Sequence, residues 1–221
     1  MKRIGIISDT HGTFDDTLRE FLRDVDEIWH AGDIGSLEVS DRIAAFKPLR
    51  AVAGNIDDAL TRRIYSDFNV FDCEGVRVLM THIGGYPRRY DPRALARIRS
   101  VHPKLFVSGH SHILKVMYDP IYDLLHINPG AAGEYGFHKV RTAVRLTTDG
   151  AQMRDMEVGE WSRRWEVPPR EGKSFSAKSR ENTPKRPSQC VGTHSAYRLR
   201  MRRQTVRRYT YPPESIPTRI I

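Results

Sequence analysis

The stretch RIGIISDTHG, residues 3–12, decides how the rest of the chain is read. Its apolar run, Ile4 to Ile7, is too short for a secretory signal and has the length of a first β-strand. The run ends directly in Asp9-Thr10-His11-Gly12. Four later runs end the same way. EIWHA (27–31) leads into Gly32-Asp33, and LRAVA (49–53) into Gly54-Asn55. VRVLMT (76–81) leads into His82, and KLFVS (104–108) into Gly109-His110-Ser111-His112. Five apolar runs therefore each end in Asp, Asn or His. Functional groups of open α/β folds gather at the carboxyl ends of strands, so these five ends are expected to line one rim.

The intervals between the runs fill in the architecture. Leu18, Phe21, Leu22 and Val25 recur at helical spacing after the first run. Val39, Ile43 and Phe46 do so after the second, behind Ser36 as N-cap. A short helix is expected near Asp57–Arg63. Residues 63–82 read as two strands joined at Glu74-Gly75. Asp91-Pro92 opens a helix whose inner face is Leu95, Ile98 and Val101. Segments 113–119, 123–128, 141–147 and 151–158 read as further strands. The expected fold is α/β: two β-sheets packed as a sandwich with helices outside.

Charge divides the 221-residue chain sharply. It carries 36 Lys+Arg and 27 Asp+Glu, a net of +9. Residues 166–221 hold 13 of the basic and 4 of the acidic groups, which leaves 23 of each in residues 1–165. The first 165 residues are therefore neutral, and the basic excess is no argument that they bind nucleic acid. Residues 1–165 are taken as the domain. Residues 166–221, polar and rich in Pro and Ser, are expected to be largely disordered, with a weak amphipathic helix possible near 196–208. The tail offers phosphate contacts to nucleic acid, but a solvated extension is preferred. No apolar run reaches the length of a membrane span. Cys73 and Cys190 suggest no disulfide framework, so a cytoplasmic setting is expected. Oligomeric state is not addressed by the sequence.

The strand ends supply seven candidate ligands: Asp9, His11, Asp33, Asn55, His82, His110 and His112. Asp9/His11 and His110/His112 are i, i+2 pairs, which on extended backbone project to one face. Imidazole, carboxylate and amide donors without thiolate suit Mn, Fe, Zn, Co or Ni. Seven donors exceed one tetrahedral ion and suit two ions sharing a carboxylate.

In order, DTHG, GD, GN, an isolated TH and GHSH resemble the signature of calcineurin-like metallophosphoesterases. Residues 1–158 carry the resemblance, and Asn128-Pro129-Gly130 makes the chain similar to the small bacterial YfcE-type phosphodiesterases. The resemblance implies a four-layer α/β/β/α sandwich of two mixed sheets. It also implies two divalent ions, manganese first among them. Asp9, His11 and His112 would hold one ion, Asn55, His82 and His110 the other, and Asp33 would bridge. A hydroxide shared by the two ions would attack phosphorus, with no protein nucleophile.

Ile56 stands where many relatives have a His able to protonate the leaving group, so poor leaving groups should be handled weakly. Asp57 is read as a helix cap or a support behind the ligands, with the cap preferred. His30 is read as a strand histidine beside the site or a support for a ligand. Arg88 and Arg89 are candidate contacts for a substrate phosphate, alongside Asn55. His138, Lys139 and Arg141 read as strand-edge charges, and His102 and His126 as packing residues. The expected substrate is a small phosphoester, probed first as a phosphodiester. The rivals are a non-catalytic scaffold of the same fold, as in the retromer's metallophosphoesterase-like subunit, and a nuclease gripping its substrate with the tail.

Overall fold

The computed structural model describes residues 1–136, 138–163 and 205–209. In chain order these form β1 (Lys2–Ile7), α1 (Asp16–Phe21), β2 (Glu27–His30), α2 (Leu37–Phe46), β3 (Leu49–Ala51) and α3 (Ala59–Ile64). There follow β4 (Phe68–Cys73), β5 (Val76–Thr81), a small hairpin of β6 (Gly85–Tyr86) and β7 (Arg89–Tyr90), α4 (Pro92–Val101) and β8 (Leu105–Val107). The chain then turns through β9 (Leu114–Asp119), β10 (Leu124–Pro129), β11 (Val140–Asp149), β12 (Gln152–Ser162) and β13 (Thr205–Tyr209).

Two mixed sheets result. The first has the order β13-β12-β11-β1-β2-β3, the second β4-β5-β8-β10-β9. The strands preceding the candidate ligands are parallel neighbours: β1 with β2, β2 with β3, and β5 with β8. Parallel strands deliver their carboxyl ends to the same edge, and that is how five distant stretches of sequence meet.

Three separate apolar clusters define four layers. Ile4, Ile6, Trp29 and Val144 of the first sheet face Val78, Met80, Val107 and Ile127 of the second. The opposite face of the first sheet, including Ile7 and Ile28, buries Leu18 and Phe21 of α1 and Val39 and Ile43 of α2. The opposite face of the second, through Leu79 and Phe106, buries Ala94 and Ile98 of α4. Successive residues of one strand thus serve different layers, Ile6 the sandwich and Ile7 the helices, as the two-residue period requires. The expected α/β/β/α sandwich is present.

Local signals act as expected at several joints. Ser36 caps α2 by accepting from the Val39 N–H, and Asp91 caps α4 ahead of Pro92. Glu74 and Gly75 both take positive φ, 49° and 84°, which a two-residue turn between twisted strands demands. Arg141 corrects its reading as a strand-edge charge. It is 2% exposed, and its guanidinium donates to the Ala132 carbonyl and pairs with Asp15 and Glu134.

A second correction concerns the tail. Thr205–Tyr209, inside the stretch expected to be disordered, pairs antiparallel with β12, Gly159 opposite Val206. The weak helix expected near 196–208 is a strand where it overlaps these residues. Thr, Val and Tyr in TVRRY have strand propensity, and β12 has an open edge to accept them. The arginine run obscured that pattern. The rest of 166–221 lies outside the described residues. Among the described residues, no helix is long and apolar enough to cross a membrane.

Candidate metal centre

The five strand ends do meet. Donor atoms of Asp9, His11 and His112 lie within 4.8 Å of one another, and those of Asp33, His82 and His110 form a second such group. Asn55 joins the second, its Oδ1 3.0 Å from His82 Nε2. All seven candidate ligands are therefore at one place, divided as the resemblance implies. Each group draws on both sheets. Asp9 and His11 follow β1 and Asp33 follows β2, whereas His82 follows β5 and His110 and His112 follow β8.

The backbone that presents them differs from the expectation. Asp9, His11, Asp33, His110 and His112 all have positive φ, between 45° and 67°. The i, i+2 pairs are thus not on extended strand. A left-handed residue costs a non-glycine side chain roughly 1–2 kcal/mol, and such strain collects at functional sites. Here it turns the chain sharply enough that His110 faces one group and His112 the other. Bonds between loops hold these turns: the Asp9 N–H donates to the Gly32 carbonyl, the His11 N–H to that of Asp33, and the Gly109 N–H to that of His82.

Both groups have the polarity of a cation site. His82 Nδ1 is 2.8 Å from the Ala31 carbonyl oxygen, which can only accept, so Nδ1 carries the proton. The Nε2 of the neutral ring then turns a lone pair toward Asn55 Oδ1 and toward Asp33 Oδ2, 3.3 Å away. Converging acceptors call for a proton or a metal between them. Burial alone would lower the His82 pKa, yet the Asp33 and Asp9 carboxylates more than offset it and hold it above its ordinary value. In the other group, His112 Nε2 is 3.3 Å from His11 Nε2 and 3.1 Å from Asp9 Oδ1. Asp9 Oδ1 is buried with no hydrogen-bond partner, whereas Oδ2 accepts from the His110 N–H. An orphaned carboxylate oxygen among imidazole nitrogens is what a missing cation leaves behind, so the residues fit two divalent ions. Asp33 stands between the groups. Burial would raise its pKa, but His82 and the Ile56 N–H hold it low, and after burial it is the largest influence on His11.

The supports behind the ligands are clear in the structure. Asp57 accepts from the Gly54 and Gly35 N–H groups at 2.8 and 2.9 Å, tying the loops after β2 and β3 together. It is not the helix cap: Asp58 is, accepting from the Thr61 N–H. Gly54 is itself required, because a Cβ there would overlap the Asp33 backbone and carboxylate. His30 touches no ligand side chain. Its Nδ1 accepts from the Gly32 N–H and its Nε2 meets the Thr10 hydroxyl, so it braces two ligand loops while fully buried. Desolvation pushes its pKa down to about 4. Asn128, read as part of a turn, does more: its amide donates to the Gly109 carbonyl and to Ser111 Oγ, fixing the GHSH loop. A polar residue in the apolar run DLLHIN was the signal for it.

Two cavities flank the ligands. One of about 450 Å³ is lined by Tyr86, Arg89, His110, Ser111, Lys115 and Asn128. The other, about 230 Å³, is lined by Asn55, Arg62, Asp67, His82 and Arg93. Arg89 is thus beside His110, whereas Arg88 is exposed at the hairpin tip with φ of 73° and lines neither cavity. The Ile56 side chain is exposed and offers no proton donor.

Fold and donor set together define a metallophosphoesterase-like protein. The chain belongs to the calcineurin-like phosphoesterase superfamily, whose domain model matches residues 1–151. A probable metallophosphoesterase of Methanothermobacter thermautotrophicus is 28% identical over 137 residues, 58% of this chain and 76% of the relative. A predicted phosphoesterase of Streptococcus pneumoniae TIGR4 superposes with a TM-score of 0.53 at 20% identity, covering 73% of this chain and 90% of that one. Vps29 of Entamoeba histolytica, solved with zinc, gives 0.58 at 17% identity, covering 72% and 92%. The solved structures share the fold. Superfamily membership supports a metal-dependent phosphoesterase.

Proposed function

We propose that the chain hydrolyses small phosphoesters, phosphodiesters first, with two divalent ions of which manganese is the leading candidate. Asp9, His11 and His112 would hold one ion and Asn55, His82 and His110 the other, with Asp33 shared. The single observation behind this reading is the orphaned Asp9 Oδ1 among His nitrogens, next to a second group built the same way. When bound, two such ions neutralise phosphoryl oxygens and acidify a water enough to attack phosphorus near neutral pH. The chain's own contribution is placement. Asp57, His30 and Asn128 fix the loops, and Arg89 puts a cation at the wall of the cavity beside His110. No Ser or Cys is needed as nucleophile.

The scaffold alternative shares the fold but has no use for seven retained donors aimed at one place. Metal analysis combined with turnover of bis(p-nitrophenyl) phosphate, with and without manganese, tests the reading. Bound metal and metal-dependent turnover are expected. Absence of bound metal with no turnover at any added divalent ion would sink it.

A further inference from the structure

Arg163 follows β12 and is 7% exposed, yet Nε, Nη1 and Nη2 are all buried without a hydrogen-bond partner. A guanidinium is always charged and presents a fork of donors, so such isolation is costly unless an anion completes it. No neighbour does so. Glu134 already accepts from Arg141, and Asp9 belongs to the metal centre and accepts from the His110 N–H. Arg141 adds a like charge nearby, and burial followed by that charge lowers the Arg163 pKa.

The fork is beside the metal centre. A Cβ built on Gly136, whose φ is 132°, would collide with Arg163 Nη1 and lie 2.9 Å from Nη2 and 2.6 Å from His112 Nδ1. His112 turns Nε2 toward Asp9 and His11, so its Nδ1 edge faces away from that group and toward Arg163. An imidazole that ligates through one nitrogen carries its proton on the other. The small space left by Gly136 is thus bordered by guanidinium donors and an imidazole N–H, with no acceptor to receive them.

We propose that Arg163 and the Nδ1 edge of His112 form an oxyanion subsite, and that it takes a second phosphate group of the substrate. The substrate class narrows to phosphoesters bearing another phosphate within reach of the scissile one. That functional meaning rests on the phosphoesterase reading; the subsite's affinity for an anion does not. Arginine's planar fork matches the oxygens of a phosphate, and each charge-assisted bond strengthens where water is excluded.

The test uses the full chain, stripped of metal by a chelator, titrated with inorganic phosphate by calorimetry. Arg163→Met should weaken binding about tenfold or more, with Arg163→Lys in between. Equal affinity in wild type and Arg163→Met would overturn the proposal. Because the charge lacks a partner, Arg163→Met should unfold at the wild-type temperature or above. A clear fall would mean the guanidinium has a structural contact, again against the proposal. With manganese, the wild type should favour a diester carrying a terminal phosphate over bis(p-nitrophenyl) phosphate, and Arg163→Met should lose that preference. Turnover of both without preference would refute the substrate assignment. Turnover of neither would refute the phosphoesterase reading, while the metal-free titration still decides the subsite.

Discussion

At the scale of single residues, Asp33 has the most to lose by the smallest change. Asp33→Asn keeps the shape and removes the charge that faces His82 and acts on His11. Supporting residues of metal sites cost roughly 10–100-fold when removed, so a shared ligand should cost more than about 100-fold in kcat/KM. Metal content should fall with it. His102→Ala, at the left-handed C-cap of α4, should leave both nearly untouched, and equal effects would contradict the site. A different histidine governs pH. His126 is fully buried, its Nε2 meets Ser108 Oγ, and burial followed by the Lys115 charge pushes its pKa down to about 3. The unfolded chain takes up this proton below about 6.5 while the folded chain does not. His126 therefore contributes stability that is complete above about pH 6.5 and is lost as pH falls toward about 3, by up to about 1.4 kcal/mol per unit. His126→Gln, which keeps a polar partner for Ser108, should flatten that slope in urea titrations between pH 6 and pH 4. An unchanged slope would assign the acid sensitivity elsewhere. The seven ligands were legible because each ends an apolar run. The left-handed turns were not, because spacing shows which residues are near in sequence and not how the chain bends between them. Nor was Arg163: in SRRW, nothing marks which arginine is buried.

At the scale of elements, the adjacent acids Asp57 and Asp58 separate loop support from helix capping. A one-residue shift in where α3 begins exchanges their roles, which is why the sequence alone misassigned Asp57. Asp57→Ala removes the acceptor shared by the Gly35 and Gly54 N–H groups, which flank Asp33 and Asn55. It should lower manganese affinity roughly 10–100-fold, measured by titration. Asp58→Ala removes only the cap of α3 and should reduce thermal stability while leaving that affinity in place. If both variants bind manganese like wild type, Asp57 does not support the site. The strand β13 carries the same lesson in another form. Strand propensity in TVRRY is a local signal, and the basic run around it argues the other way. The open edge of β12, available only in the fold, decided the outcome.

At the scale of the whole molecule, each ligand group takes donors from both sheets, so metal binding links the two halves of the sandwich. Asp9 and His11 reach from the first sheet to His112 of the second, and Asp33 and Asn55 reach to His82 and His110. A ligand that binds the folded state alone stabilises it by mass action, about 2.7 kcal/mol when present at 100 times its Kd. For a domain of this size each kcal/mol raises Tm by roughly 2–4 °C. Manganese at that excess should therefore raise Tm by about 5–10 °C, and a chelator should reverse the shift. The sandwich core is continuous beneath the site, from Ile4 and Trp29 to Val78 and Val107, so unfolding should stay a single transition with or without metal. Asp33→Asn should lose most of the shift, because neither group is complete without the shared carboxylate. Two transitions in the chelated protein, one for each sheet, would show that the core does not couple the sheets and that the ions do. A full shift in Asp33→Asn would place the metal elsewhere.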